Sequence, residues 1–197
     1  MKKLLLIIIL LLPSISNAQS RYLQKGENGI AIGVGAQNTA SSSKGIGFAS
    51  VSFGVNGKSD FGVKVGKSSN LKIIAPFLNV YLIKQSESNP VSTSFIFQAE
   101  MVDYSGGSSF YSNSSSSNSF SFGGAIEHNL FPSSSFGFTP YIVFLYTVSD
   151  NESLATHGAG LSLSIGKKSI FALDVGYYNA DSENLFVASI SMNFKRK

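Results

Sequence analysis

The closing segment of the chain, residues 186–194, alternates strictly between bulky apolar side chains and smaller or more polar ones. One parity carries Phe186, Ala188, Ile190, Met192 and Phe194, and the other carries Val187, Ser189, Ser191 and Asn193. A β-strand points successive side chains to opposite faces of its sheet. This segment therefore predicts a β-strand with one apolar face and one small, largely polar face.

The same alternation recurs along most of the chain and predicts an all-β fold. Ten segments show it or a weaker form of it: residues 29–38, 46–55, 61–67, 73–84, 91–104, 120–130, 136–148, 158–165, 171–178 and 186–194. Segment 73–84 has bulky residues on both parities, and we take Asn79 as the marker of its inner face. We expect ten antiparallel strands, with eight as the alternative if two weak strands merge or lie outside the sheet.

The shortage of charge indicates which face points outward. Charged residues make up 13% of the chain, against about 25% in ordinary soluble domains. A soluble barrel would bury its apolar face and would need many charged residues on the other, whereas here that other face is mostly Gly, Ser, Ala and Asn. The pattern suits a barrel in lipid, which must be closed because unpaired backbone groups are not tolerated there. The sequence thus predicts a closed, antiparallel, up-and-down transmembrane β-barrel, apolar outside and polar inside.

The N-terminus has the pattern of a cleavable export signal. Lys2 and Lys3 precede an uninterrupted apolar run at residues 4–12, and small residues follow at 16–18. The run is too short for a spanning helix, which needs about 20 apolar residues. We therefore expect residues 1–18 to be a signal peptide and residues 19–197 to be the barrel domain. The chain has no Cys that could carry a lipid anchor.

The lengths of the connections are consistent with ten strands. Outer-membrane barrels have short periplasmic turns and longer external loops. If the N-terminus lies in the periplasm, short connections at residues 56–59, 85–90, 131–135 and 166–169 are periplasmic. Residues 105–118, 150–156 and 180–183 are then external, and the serine-rich segment 105–118 is predicted to be an exposed loop.

These features resemble the small outer-membrane β-barrels of Gram-negative bacteria, the porin-like barrel superfamily. The resemblance rests on the export signal, on residues 139–142 (TPYI) entering a strand, and on the closing strand that ends in Phe194. It implies that the barrel-assembly machinery reads the terminal aromatic Phe194, with Met192 and Ile190 as its companions. Residues 195–197, which are all basic, follow that aromatic. The alternative is that Phe194 is simply a residue that faces lipid.

Four charged residues fall on the predicted inner face: Lys64, Glu100, Glu127 and Asp174. Isolated charges are costly to remove from water, so we expect these to pair with other groups. They then form either a plug of ion pairs and hydrogen bonds or the lining of a narrow polar path for small solutes.

No recognisable catalytic, metal or cofactor motif accompanies this pattern. His128 and His157 are the two histidines of the chain, and neither lies in a recognisable hydrolase motif. No basic stripe suits nucleic acid. We expect a monomeric, non-enzymatic protein of the outer membrane, structural or surface-interactive, in contact with outer-membrane lipids and lipopolysaccharide. A narrow solute channel and a lipid-modifying enzyme are the alternatives.

Overall fold

The computed structural model describes residues 28–39, 45–55, 58–104, 115–131, 135–149, 153–166, 169–180 and 183–196. These residues form ten β-strands: β1 (Asn28–Thr39), β2 (Ile46–Val55), β3 (Ser59–Lys67), β4 (Leu71–Ile83), β5 (Ser92–Tyr104), β6 (Ser115–Glu127), β7 (Phe136–Ser149), β8 (Ser153–Ile165), β9 (Ser169–Ala180) and β10 (Glu183–Arg196). The predicted signal peptide, residues 1–18, lies outside the described residues, as do residues 56 and 57 of the predicted connection at 56–59. Within these ranges the structure contains no helix long and apolar enough to cross a membrane.

The strands form one closed barrel with simple up-and-down topology. Every strand pairs antiparallel with its neighbours in sequence, and β1 pairs with β10 to complete the cylinder. The closing register runs from Asn28 opposite Arg196 to Thr39 opposite Leu185. Closure leaves no unpaired sheet edge, which is the condition for placing strands in lipid. The expectation of ten strands in a closed antiparallel barrel is confirmed.

The strand bounds leave connections of three or eight residues at one end of the barrel and of two to ten residues at the other, so the predicted difference in length is confined to the ten residues between β5 and β6. After the predicted connections, we call the end that joins β2 to β3, β4 to β5, β6 to β7 and β8 to β9 the short-turn end, and the opposite end the loop end. At the short-turn end Gly166 has φ of 125°, a conformation that residues other than glycine rarely adopt. Its N–H donates to the carbonyl of Ser135 at 2.7 Å, which ties two neighbouring turns together.

Several strands reach further than the alternation predicts. Strand β6 begins at Ser115 and pairs residues 115–118 with residues 101–104 of β5, so this part of the predicted loop is strand. Strand β8 begins at Ser153, so residues 153–156 also belong to a strand rather than to a loop. Backbone hydrogen bonds can extend a pair of strands whatever their side chains are. Beyond the part of the wall that carries apolar side chains, the strands need no alternation of apolar and polar residues. Residues 105–114, the rest of the serine-rich segment, lie outside the described residues.

The strands differ in length around the barrel wall. Strand β3 has nine residues and is the shortest in the described chain, whereas β7 and β10 have fourteen each. The wall is therefore lowest at β3.

Side chains point outward or inward as the alternation predicts, but the inner face is bulkier than expected. Ile32, Phe144 and Phe186 are more than half exposed on the outside, and Asn79 lies inside as predicted. The inner face, however, also carries a cluster of bulky buried residues: Phe48, Ile96, Tyr141, Val143, Leu145, Leu154, Tyr178, Leu185 and Val187. A ring of ten strands encloses more volume than small polar residues can fill, and protein interiors pack to high density. The bulky side chains supply that volume.

Candidate functional site

The outer wall of the barrel is almost continuously apolar. Large hydrophobic side chains from every strand point outward and are more than a third exposed. Aromatic neighbours pack on this surface, with the Phe53 and Phe61 rings stacked at 5.5 Å and the Phe122 and Tyr146 rings in edge contact at 5.6 Å. A monomeric soluble protein rarely exposes so large an apolar area.

The interior holds the four charged residues that the sequence assigned to it. Lys64, Glu100 and Asp174 are each 1% exposed, and Glu127 is 6% exposed. A fifth ionisable residue, Asp60, is also 1% exposed. Asp60 is not among the predicted inner charges because the predicted third strand begins at residue 61. The available signal was parity, since Asp60, Gly62 and Lys64 lie two residues apart on one face.

Lys64 and Glu100 form the charged centre of the interior. They lie on β3 and β5 and attract one another electrostatically. The Lys64 ammonium lies 5.5 Å from the centroid of the Phe48 ring, within the range of a cation–π interaction. The Gln98 side-chain amide donates a hydrogen bond of 3.4 Å to Oε2 of Glu100. Lys64 is thus stabilised by groups on β2 and β5, whereas Glu100 accepts its hydrogen bond from its own strand and its Oε1 is buried with no hydrogen-bond partner among the described residues.

A second polar cluster lies near the short-turn end. The Tyr81 hydroxyl donates to Oδ2 of Asp60 at 3.1 Å, and Glu127 and Lys84 both act on Asp60 through their charges. Lys84 follows the end of β4. Partial burial lowers its pKa from the usual 10.5, the negative charge of Asp60 raises it, and the positive charge of Lys58 lowers it. Glu127 therefore groups with Asp60 and not with the Lys64–Glu100 pair.

Asp174 belongs to a third sector, on the side of the barrel formed by β7, β8 and β9. The Tyr141 and Tyr178 hydroxyls are 3.3 Å apart there, and their rings lie over glycines. A Cβ atom added at Gly160 would collide with the Tyr141 ring, and one added at Gly158 would collide with the Tyr178 ring. These glycines leave the space that the two tyrosines occupy inside the barrel.

Hydrogen bonds connect two turns at the short-turn end. The Gln85 side chain donates to the Asn129 carbonyl at 2.8 Å and accepts from the Asn129 N–H at 2.7 Å. The Gln85 N–H donates to the hydroxyl of Ser92 at 2.9 Å, and Nδ1 of His128 contacts the carbonyl of Pro90. The turn after β4 is thus fastened to the turn after β6.

The described interior is filled rather than open. Side chains at several heights, among them Ala75, Ser121, Val143 and Asn193, have no measurable exposure. The Ser121 and Thr147 hydroxyls lie 2.8 Å apart, whereas the side-chain polar atoms of Asn193, Ser189 and Ser191 are buried with no hydrogen-bond partner in the described part of the chain. Within the described strands, a wide water-filled lumen would have left such residues accessible.

The two histidines lie apart. His128 lies beyond the end of β6 and is half-buried, whereas His157 faces outward from β8 opposite Phe144. The part of the chain that the structure describes contains no group of three His, Cys, Asp or Glu side chains able to hold a metal ion.

The three predicted assembly residues lie on the outer face of β10. Phe194 and Ile190 are exposed, and Met192 between them is half-buried. Phe194 lies opposite Ile30 of β1, next to the seam that closes the barrel. Recognition of these residues by the assembly machinery stays a prediction.

Comparison with solved structures supports the fold. The β-domain of the Bordetella autotransporter BrkA aligns with a TM-score of 0.54 and 7% identity, covering 85% of this chain and 99% of that domain. The KdgM porin aligns with a TM-score of 0.50 and 12% identity over 82% and 97% of the respective chains. The fold is that of an outer-membrane β-barrel.

These identities are too low to carry over any activity. The N-terminal barrel of Pseudomonas aeruginosa OprF is also similar, with a TM-score of 0.46 and 9% identity over 86% of this chain and the whole of that domain. No protein-family model and no curated protein sequence matches the chain.

Proposed function

We propose that this protein is an integral barrel of the bacterial outer membrane with a filled interior, and that its role is structural or surface-interactive and not enzymatic. The apolar outer wall supports its placement in lipid, because water would solvate that surface poorly. The fold of the similar solved barrels and the export signal predicted for residues 1–18 support the outer membrane in particular.

The observation that carries the proposal is the burial of Lys64 and Glu100. Both are 1% exposed in the middle of a ten-strand barrel. Charged side chains that line an aqueous path would be hydrated, whereas these two are surrounded by Phe48, Gln98 and one another. The interior thus serves as a packed core that stabilises the cylinder and blocks it.

Planar-bilayer conductance of the purified protein tests the filled interior. We expect the wild type to give no stepwise current. Tyr178→Ala removes a fully buried inward ring, and it is expected to produce small steps. Tyr177→Ala is the matched control, because Tyr177 is the next residue and points outward with 53% exposure. Regular conductance steps from the wild type would refute the filled barrel.

A narrow cation path is the second candidate, and the charge balance favours it. The buried Asp, Glu and Lys side chains of the described strands are four carboxylates and one ammonium, namely Asp60, Glu100, Glu127, Asp174 and Lys64. This excess of carboxylates would attract cations if the interior opened. Cation-selective current from the wild type, weakened by Glu127→Gln, would favour the channel over the plug.

Two further measurements test placement and chemistry. We expect the protein to fractionate with the outer membrane and to migrate differently on an unheated gel than after boiling. Purified protein incubated with phospholipid or lipid A is expected to leave both unchanged. Recovery of the mature chain as a soluble periplasmic protein would refute membrane placement, and lipid products lost in a His157→Ala variant would establish the enzymatic alternative.

The proposed assembly signal has a separate test. Truncation before Phe194 removes the terminal aromatic, and we expect fewer folded barrels in the membrane while the amount of exported chain stays unchanged. Phe136→Ala alters another exposed aromatic, on β7, and serves as the control. Normal assembly after the truncation would reject the recognition of Phe194.

A further inference from the structure

A groove indents the outer wall of the barrel near the loop end. It spans strands β2 to β6 and has a volume of about 780 Å³, within the range of ligand sites, which are roughly 300–1,000 Å³. Its lower part is lined by a row of outward side chains that lie opposite one another across the strands, namely Ala49, Val65, Ile74 and Met101. Most of the lining residues face outward, so the groove is open to the surroundings of the barrel, and the inward-facing Phe48, Gly66 and Ile73 lie at its floor.

A glycine creates part of the depression. Gly47 faces outward on β2, and a Cβ atom placed there would meet nothing within 4 Å. Together with the small side chain of Ala49 it makes the wall concave next to Val65. A concave apolar strip on a membrane-facing surface has the shape and chemistry to take an acyl chain.

The upper rim of the groove is charged. Lys67 and Lys72 lie directly opposite one another on β3 and β4, and both are exposed. Like charges directly opposite across two strands destabilise the pair, and an anion between them removes that repulsion. The neighbours of the pair in the same row are Gly47 on one side and Asp103 on the other. Asp103 lies directly opposite Lys72, one strand spacing away, and two spacings, about 10 Å, from Lys67. One carboxylate thus faces two ammonium groups, and the site between the lysines keeps a net positive charge.

We propose that this groove binds a phosphorylated lipid of the outer leaflet, with its phosphate between Lys67 and Lys72 and an acyl chain along the apolar strip. The inference rests on the proposed placement in the outer membrane with the loop end outward. The lipid A part of lipopolysaccharide joins a phosphate and acyl chains in one molecule. In the groove the two lysines lie next to the apolar strip in the same order. Lysine ammonium groups bind phosphate through charge-assisted hydrogen bonds.

Native mass spectrometry of the protein released from nanodiscs tests the site, with lipid A and phosphatidylcholine as the two probes. We expect the wild type to retain lipid A in preference to phosphatidylcholine. The Lys67→Gln/Lys72→Gln double variant is expected to lower that preference about tenfold or more, the order expected when charge-assisted hydrogen bonds are lost. Lys58→Gln alters an exposed lysine at the short-turn end and is expected to change nothing.

A second variant tests the acyl-chain seat without changing charge. Gly47→Leu fills the groove from a position with open space around it, and it is expected to lower lipid A retention by several-fold while the barrel still folds. Wild-type retention in either Gly47→Leu or the double lysine variant would overturn the site, as would equal retention of the two lipids by the wild type.

The gel migration of unheated samples distinguishes failure of the proposed lipid site from failure of the proposed membrane placement. Variants that form heat-modifiable barrels in nanodiscs but keep normal lipid A retention contradict the groove alone. Failure of the wild type to enter nanodiscs as a barrel would refute the membrane placement and, with it, this site.

Discussion

Replacing Glu100 with Gln is expected to destabilise the barrel strongly because it leaves the Lys64 ammonium buried without its opposite charge. Lys64 is 1% exposed, so water cannot screen the loss. The contact with Phe48, at 5.5 Å from the ring centroid, remains. A cation–π interaction contributes about 0.5–2 kcal/mol, which is less than the desolvation of an ammonium group requires.

The size of the effect follows from the burial of both partners. Removing one member of a buried ion pair lowers the free energy of unfolding by about 3–5 kcal/mol. We expect Glu100→Gln to fall at the lower end, about 3 kcal/mol, because the Gln amide oxygen can still accept a hydrogen bond. Adding Lys64→Met removes the unpaired charge, so we expect the double variant to recover most of the loss.

Urea unfolding in lipid vesicles, followed by the gel shift of unheated samples, measures this double-mutant cycle. Asp103→Asn is the matched control on the same strand, because Asp103 is exposed and its substitution is expected to change stability by less than about 0.5 kcal/mol. A loss below about 1 kcal/mol for Glu100→Gln, or additive effects in the double variant, would refute the electrostatic coupling of Lys64 and Glu100.

Three further outcomes are expected from the same unfolding measurement. Gly160→Val should lower stability by about 1–3 kcal/mol through overpacking against Tyr141, and unchanged stability would contradict the tyrosine packing. Gln85→Ala should cost about 1–3 kcal/mol because two hydrogen bonds to Asn129 are lost, and wild-type stability would show that the turns are not fastened there. The pKa of Lys84 is lowered in the folded barrel, so between that pKa and 10.5 the unfolded chain binds more protons than the folded one. The free energy of unfolding should therefore rise with pH in this window. The rise should vanish in the Lys84→Gln variant.

The strand pattern was predictable because the two faces of a barrel wall meet different environments. Over residues 171–177 larger apolar residues alternate with smaller ones, and parity alone places Asp174 inside and Phe171 outside, as the structure does. The ends of the strands were not predictable in this way. Ser115 and Ser153 begin strands because their backbones pair with neighbours, and their side chains carry no periodic signal.

The arrangement inside the barrel needed the three-dimensional register. Lys64 and Glu100 are distant in sequence, and the register of β3, β4 and β5 places them at the same level along the barrel axis. Parity does not distinguish this pairing from one between Lys64 and Glu127. The sequence also does not predict that bulky residues such as Phe48 and Tyr178 fill the interior. An inner face rich in glycine and serine suggests a larger empty volume than the one that forms.

The short strand β3 has a mechanical consequence for the surrounding bilayer. Its nine residues reach about 20 Å along the membrane normal at a tilt near 45°, below the roughly 25 Å height of the apolar band in such barrels. Lipids beside β3 must compress or tilt to cover the wall, whereas lipids beside β7 and β10 need not. The protein therefore imposes an uneven thickness on the leaflets around it, with the thinnest annulus on the side of β3.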